Sequence, residues 1–194
     1  MYKRQILGTT GIVVPYSASS YIASITQGID VAIANRITEL VINSGARSEK
    51  YLKNLFPNTE EQGFVHYGNW IGETLQKIKE TPIEKVTIGI MLGKAVKLAK
   101  GNRDTHSCVS TWDKAFIPTI AESCGYNKEV QSKIIELNMA GRLPELFEFK
   151  QSEVFYQYLL KECYVQVLKA VGDKTKVDIY LISKTGEMIK FNDH

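Results

Sequence analysis

Cysteine is scarce in this chain. Cys108, Cys124 and Cys163 form an odd set with no CxxC pair, which argues against a secreted disulfide framework and against a cysteine-only zinc site. A reducing, cytoplasmic setting is the expectation. No run of about 18 apolar residues occurs, and the N-terminal MYKRQILGTTG lacks the apolar segment and small-residue cleavage site of a signal peptide. The chain therefore reads as soluble, with no membrane partner. Internal repeats and Pro- or Ser-rich linkers are missing too, so residues 1–194 are expected to form one α/β domain. Excess charge of one sign is small: 24 Lys and Arg against 21 Asp and Glu leave +3. That is too weak and dispersed to call for nucleic acid, whereas a small acidic ligand fits. GxSxG, a Walker loop and HExxH are absent. His106 lies close to Cys108, but no second pair has ligand spacing, so no metal is expected.

What is present is an ordinary globular composition. Of 194 residues, 44% are hydrophobic, 23% charged and 10% aromatic, and folding at this length buries roughly 70% of the chain's surface without staples. Four short apolar runs each end at glycine: RQIL before Gly8, ITELVIN before Gly45, FVHY before Gly68 and KVTIGIM before Gly93. Helical patterns follow at about 17–34, 48–55, 70–80 and 94–100. Strand alternating with helix predicts a mostly parallel sheet with helices on both faces. Beyond residue 107, CVSTWDKAFIPTIAESCG, NKEVQSKIIELNMAG, RLPELFEF and QSEVFYQYLLKECYVQVLKAVG read as helices, closed by Gly125, Gly141 and Gly172. The tail KVDIYLISKTGEMIKF alternates and turns at Thr185-Gly186, a strand pair expected to rejoin the same sheet.

Ligands of open α/β sheets bind outside the carboxyl ends of the strands, so the four glycine loops are the expected site. Gly8, Thr9, Thr10 and Gly11 offer backbone N–H groups and two hydroxyls, although a plain strand-to-helix turn explains them equally well. In NSGARSEKY, Asn43 and Gly45 end a strand, Arg47 is a candidate carboxylate partner, and Ser48 opens a helix. HYGNWIGETL places His66, Gly68, Asn69 and Trp70 together, with Trp70 read as a packing residue. After Gly93, Lys94 and Lys97 are three apart and share a helix face, followed by Lys100 and a polar loop through Arg103, Thr105 and His106. A solvated lysine face is the competing reading.

Taken in order, these segments resemble the CbiD family of cobalt-precorrin-5B (C1)-methyltransferases of anaerobic cobalamin biosynthesis. ILGTTGIV is similar to that family's ILGT(T/S)GIV signature, NSGARSEKY to its PGxRSE loop, and GNWIGETL to its Asn-Phe-Ile-Gly segment. LGKAVKLAKGNRDTHS resembles its GK(L/V)xKLAxGxxxTHS motif, STWDKAFIPTIAESCG its Asp-containing helix, and VDIYLISKTGEMI its closing strand and turn. The likeness covers nearly the whole chain but only the C-terminal half of the family, whose GYTTGxCAAAA-like opening is absent. Ile90 and Met91 stand where members tend to have Gly-His, and Ser44 replaces a proline.

The resemblance implies methyl transfer from S-adenosylmethionine to C-1 of a cobalt-precorrin. In that reading Gly8, Thr9, Thr10, Gly11, Asn43, Gly45, Gly68, Asn69 and Gly93 surround the cofactor. Arg47, Ser48, Lys94 and Lys97 meet the acidic tetrapyrrole, and Thr105 and His106 are the catalytic-site candidates. The expected partners are a CbiD-like N-terminal half or a second copy of the chain. The alternative is a non-catalytic corrinoid- or nucleotide-binding module, or a subunit of a split enzyme.

Overall fold

The apolar runs become the strands of one sheet in the computed structural model, which describes residues 18–106, 113 and 115–192. The RQIL run and the Gly8 to Gly11 loop lie outside the described residues. Helix α1 (Ala18–Ala34) precedes strand β1 (Glu39–Asn43), then come α2 (Ala46–Leu55), β2 (Phe64–His66), α3 (Ile71–Lys79), β3 (Lys85–Met91) and α4 (Leu92–Ala99). Helices α5 (Phe116–Ser123), α6 (Lys128–Glu136) and α7 (Val154–Val171) follow, and β4 (Lys176–Ile182) and β5 (Met188–Lys190) close the chain. The five strands lie in the order β2-β1-β3-β4-β5. The first four are mutually parallel, and β5 pairs antiparallel with β4, Leu181 opposite Ile189. The class is α/β, as the alternation of strand and helix requires.

Alternation within each strand divides the core between two sheet faces. Leu40 and Ile42 of β1, Val86, Ile88 and Ile90 of β3, and Ile179 and Leu181 of β4 share one cluster with residues of α1, α3, α4 and α7. Ile117 of α5, Ile134 of α6 and the stacked Phe147 and Phe155 belong to that cluster too, so the helical segment and the sheet are packed together. Each fully buried aliphatic side chain here contributes about 1.5–3 kcal/mol. The opposite face carries Val41 and Ile182 against Leu52 of α2. Helices therefore cover both faces, unequally.

Some boundaries depart from expectation. RLPELFEF yields a short 3-10 turn, Ala140–Glu145, because Pro144 interrupts helical hydrogen bonding. Helix α4 starts at Leu92 and not at Lys94: Leu92 is 7% exposed, and its demand for the core starts the helix directly after β3. Gly93 consequently sits in a first helical turn rather than a loop.

Candidate functional site: a cation-lined crevice

The chain leaves β1 for α2 on one face of the sheet and leaves the adjacent β3 for α4 on the other. Diverging connections of this kind open a crevice at the carboxyl edge. Two cavities meet there at Met91 and Gly93. The first, about 340 Å³, is lined by Asn69, Met91, Gly93, Lys94, Lys97, Thr105 and His106. The second, about 400 Å³, reaches from Arg47 across Leu92 to Met139, Phe149 and the 182–187 turn. A larger concavity of about 1000 Å³ lies away from this edge, between α7 and Phe191.

The first cavity is assembled by backbone contacts between two loops. Thr105 N–H donates to the Asn69 carbonyl at 2.9 Å, and its hydroxyl donates to the same oxygen at 3.2 Å. Arg103 O accepts from Gly72 N at 3.1 Å, and a Cβ on Gly72 would stand 2.5 Å from the Arg103 Cβ. Gly68 turns with φ 58°, the left-handed region, and a side chain there would collide with Tyr21. Tyr21 in turn packs on Trp70, ring centroids 4.6 Å apart, so Trp70 is a packing residue as expected.

Lys94 and Lys97 share the α4 face that borders this cavity, and each reaches a loop carbonyl. Lys94 Nζ donates to Gly68 O, and Lys97 Nζ donates to Thr105 O at 2.9 Å. Burial, and then the neighbouring Lys97 charge, pull the Lys94 pKa down to about 8 from its ordinary 10.5. The Tyr67 ring lies beneath, 5.7 Å from Lys94 Nζ, with its hydroxyl donating to Gly89 O at 3.2 Å. Burial pushes the Tyr67 phenol well above its usual range. Lys100 points elsewhere and pairs with Asp113.

Not every candidate faces the crevice. Asn43 is fully buried, and its Oδ1 accepts from Gly45 N at 2.9 Å, so it shapes the loop from below. Ser48 is 1% exposed and donates to Gly45 O at 2.8 Å. Helix α2 begins at Ala46, so Ser48 lies inside its first turn and not at its cap. Thr105 lines the first cavity, 2% exposed, with its hydroxyl donating to the Asn69 carbonyl. His106 is half-buried on the cavity wall, its backbone N–H held by Asp104 Oδ1 at 2.8 Å. Gly45 and Gly93 both have open space where a Cβ would stand, which leaves backbone room for a ligand. Reading loops from glycine missed Met91, Lys184 and the rest of the 182–187 turn. That turn follows the fourth parallel strand, but the β4 direction is not legible from the tail alone.

Among the described residues no group of three His, Cys, Asp or Glu side chains could hold a metal ion. No described helix is long and apolar enough to cross a membrane.

These features define an open α/β protein, helices on both faces, with a cation-lined crevice at its topological switch point. Residues 104–192 match the family model described as CbiD, C-terminal domain. Over 184 residues the chain is 36% identical to the cobalt-precorrin-5B C(1)-methyltransferase of Geobacillus sp. (strain WCH70), covering 95% of this chain and 50% of that protein. It is 38% identical over 159 residues to the enzyme of the same name from Prosthecochloris aestuarii, covering 81% and 43%. A match from Thermus thermophilus, also so named, is 27% identical over 176 residues, covering 91% and 48%. The chain is thus similar to the C-terminal half of CbiD-family proteins, and it spans about half the length of these relatives. No solved structure matches it significantly.

Proposed function

We propose that the chain is the C-terminal half of an S-adenosylmethionine-dependent methyltransferase that methylates C-1 of cobalt-precorrin-5B in corrin ring biosynthesis in the cytoplasm. The observation that carries this reading is the convergence of Lys94 and Lys97 on one cavity at the switch point, in a chain similar to this family's C-terminal half. An acidic tetrapyrrole needs cations held in partly desolvated surroundings, where charge-assisted contacts are strongest. Carbonyl contacts hold both ammonium groups at the cavity wall.

S-adenosylmethionine supplies an already activated methyl group, so alignment and exclusion of water dominate over acid-base work. Gly45, between β1 and α2, leaves backbone room for such a ligand. Lys94 and Lys97 hold the acidic edge of the ring, while Thr105 and Asn69 fix the loop that carries His106 beside it. The second wall comes from the N-terminal half present in the relatives.

The test supplies cobalt-precorrin-5B and S-adenosylmethionine to the chain alone and to the chain co-expressed with the N-terminal half of the Geobacillus relative. Turnover is expected only with both halves. Robust turnover by the 194-residue chain alone would remove the need for a second wall. No turnover with both halves, together with no corrinoid binding, would overturn the reading.

A further inference from the structure

The second cavity has no role in the reading above, and its chemistry differs from the first. Its floor is apolar: Met91, Leu92, Met139, Phe149 and Ile182. Arg47 and Lys184 stand on its rim, both exposed, and neither makes an ion pair among the described residues. Glu187 is the carboxylate in the lining, its Oε2 accepting from Thr185 Oγ1 at 2.8 Å and from Ser183 Oγ at 3.2 Å. Apolar floor and cationic rim suit a ligand with flat hydrophobic faces and anionic edges. The two cavities adjoin across Met91 and Gly93, and Gly93 presents no side chain to obstruct a planar body lying over both.

We infer that Arg47 and Lys184 form a second carboxylate-recognition site. A single polyanionic macrocycle lies across the Met91–Gly93 ridge, one acidic edge on Lys94 and Lys97 and another on Arg47 and Lys184. This rests on the proposed function and adds residues and an orientation to it. The apolar floor takes part of the ring face, and Glu187 disfavours an overly close second anion.

The probes are cobyrinic acid, whose ring carries free carboxylates, and cobinamide, whose corresponding groups are amides, each titrated into the 194-residue chain by absorbance. Arg47→Met and Lys184→Met are each expected to weaken cobyrinic acid binding about two- to fivefold, within the range for exposed charge contacts. Cobinamide affinity should not change, and Glu187→Gln should tighten cobyrinic acid binding. Thermal melts should leave all three variants as stable as the parent, since these positions are exposed. Unchanged cobyrinic acid affinity in Arg47→Met and Lys184→Met, with weakened affinity in Lys97→Met, overturns the second site and leaves the proposed function standing. Failure of the parent chain to bind cobyrinic acid both alone and together with the N-terminal half of the Geobacillus relative overturns both.

Discussion

The two edges of the sheet treat charge in opposite ways. At the amino edge a cavity of about 540 Å³ is lined by Lys85, Lys174 and Lys176 with Glu39, Glu84 and Asp178, cation balanced by anion. Lys85 lies 3.3 Å from Asp178 and 3.9 Å from Glu39, and Lys190 reaches Asp178 at 3.1 Å. At the carboxyl edge Arg47, Lys94, Lys97 and Lys184 face the crevice against Glu187. Partnered charges satisfy one another and are weakly felt by a ligand, whereas an excess of one sign on concave, partly desolvated walls concentrates its field on whatever enters. A formal charge of +3 for the whole chain hides this asymmetry.

The strongest way to break the comparison is to move the carboxyl-edge loop without touching a charge. Gly72→Ala drives a methyl into the Arg103 Cβ. We expect a loss of about 1–3 kcal/mol of stability and a collapse of corrinoid binding, while the amino-edge pairs persist. Denaturant unfolding and corrinoid titration measure both, and a variant that binds normally would mean that the 101–106 segment does not shape the cavity.

Lys97→Met should lower corrinoid affinity about 10- to 100-fold, more steeply at low salt. Because Lys97 also holds Thr105 O, a loss near 1 kcal/mol in stability should accompany it. Unaltered affinity at two salt concentrations would return Lys97 to the status of a solvated face.

The pH dependence sharpens the comparison further. Lys94 is charged below about pH 8 and neutral above it, so the part of anion affinity due to Lys94 should fade as pH rises through 8 and be missing in Lys94→Met. Lys97 and His106 also border the cavity, so the difference between parent and variant isolates Lys94. Stability moves the other way. The folded-state pKa is below the unfolded value, so the cost of burying the ammonium is fully present below about pH 8 and disappears toward 10.5. Parent stability should therefore rise relative to Lys94→Met across that interval, as chemical denaturation at several pH values will show.

The smallest effect is expected at the amino edge. Asp178→Asn removes the shared partner of Lys85 and Lys190 and should cost less than about 1 kcal/mol, with corrinoid affinity unchanged. An affinity gain in this variant would show that surplus charge alone, without the apolar floor, draws the ligand.

Much of this was open to sequence reasoning because the relevant physics is local. Period-two and helical apolar patterns announce β1, β3, α1 and α7, and Gly172 with φ 76° ends α7 where a left-handed residue is needed. The three-residue spacing of Lys94 and Lys97 put both on one face without reference to the rest of the chain. Other features depend on partners far away in sequence. Asn43 and Ser48 look like ligand-facing polar residues in the chain, but packing buries them, and their side chains hold the backbone at Gly45. The order β2-β1-β3-β4-β5 brings Arg47, Gly93 and Lys184 to one crevice, and no local periodicity encodes that order. Sequence by itself determined most of the described strands and helices, though not the 3-10 turn at Ala140–Glu145, and which charges share a helix face, since these follow from side-chain spacing. Only the tertiary structure decided that Arg47 and Lys184 stand beside an apolar floor without an ion pair among the described residues, because pairing and burial depend on strand order and on contacts across the sheet.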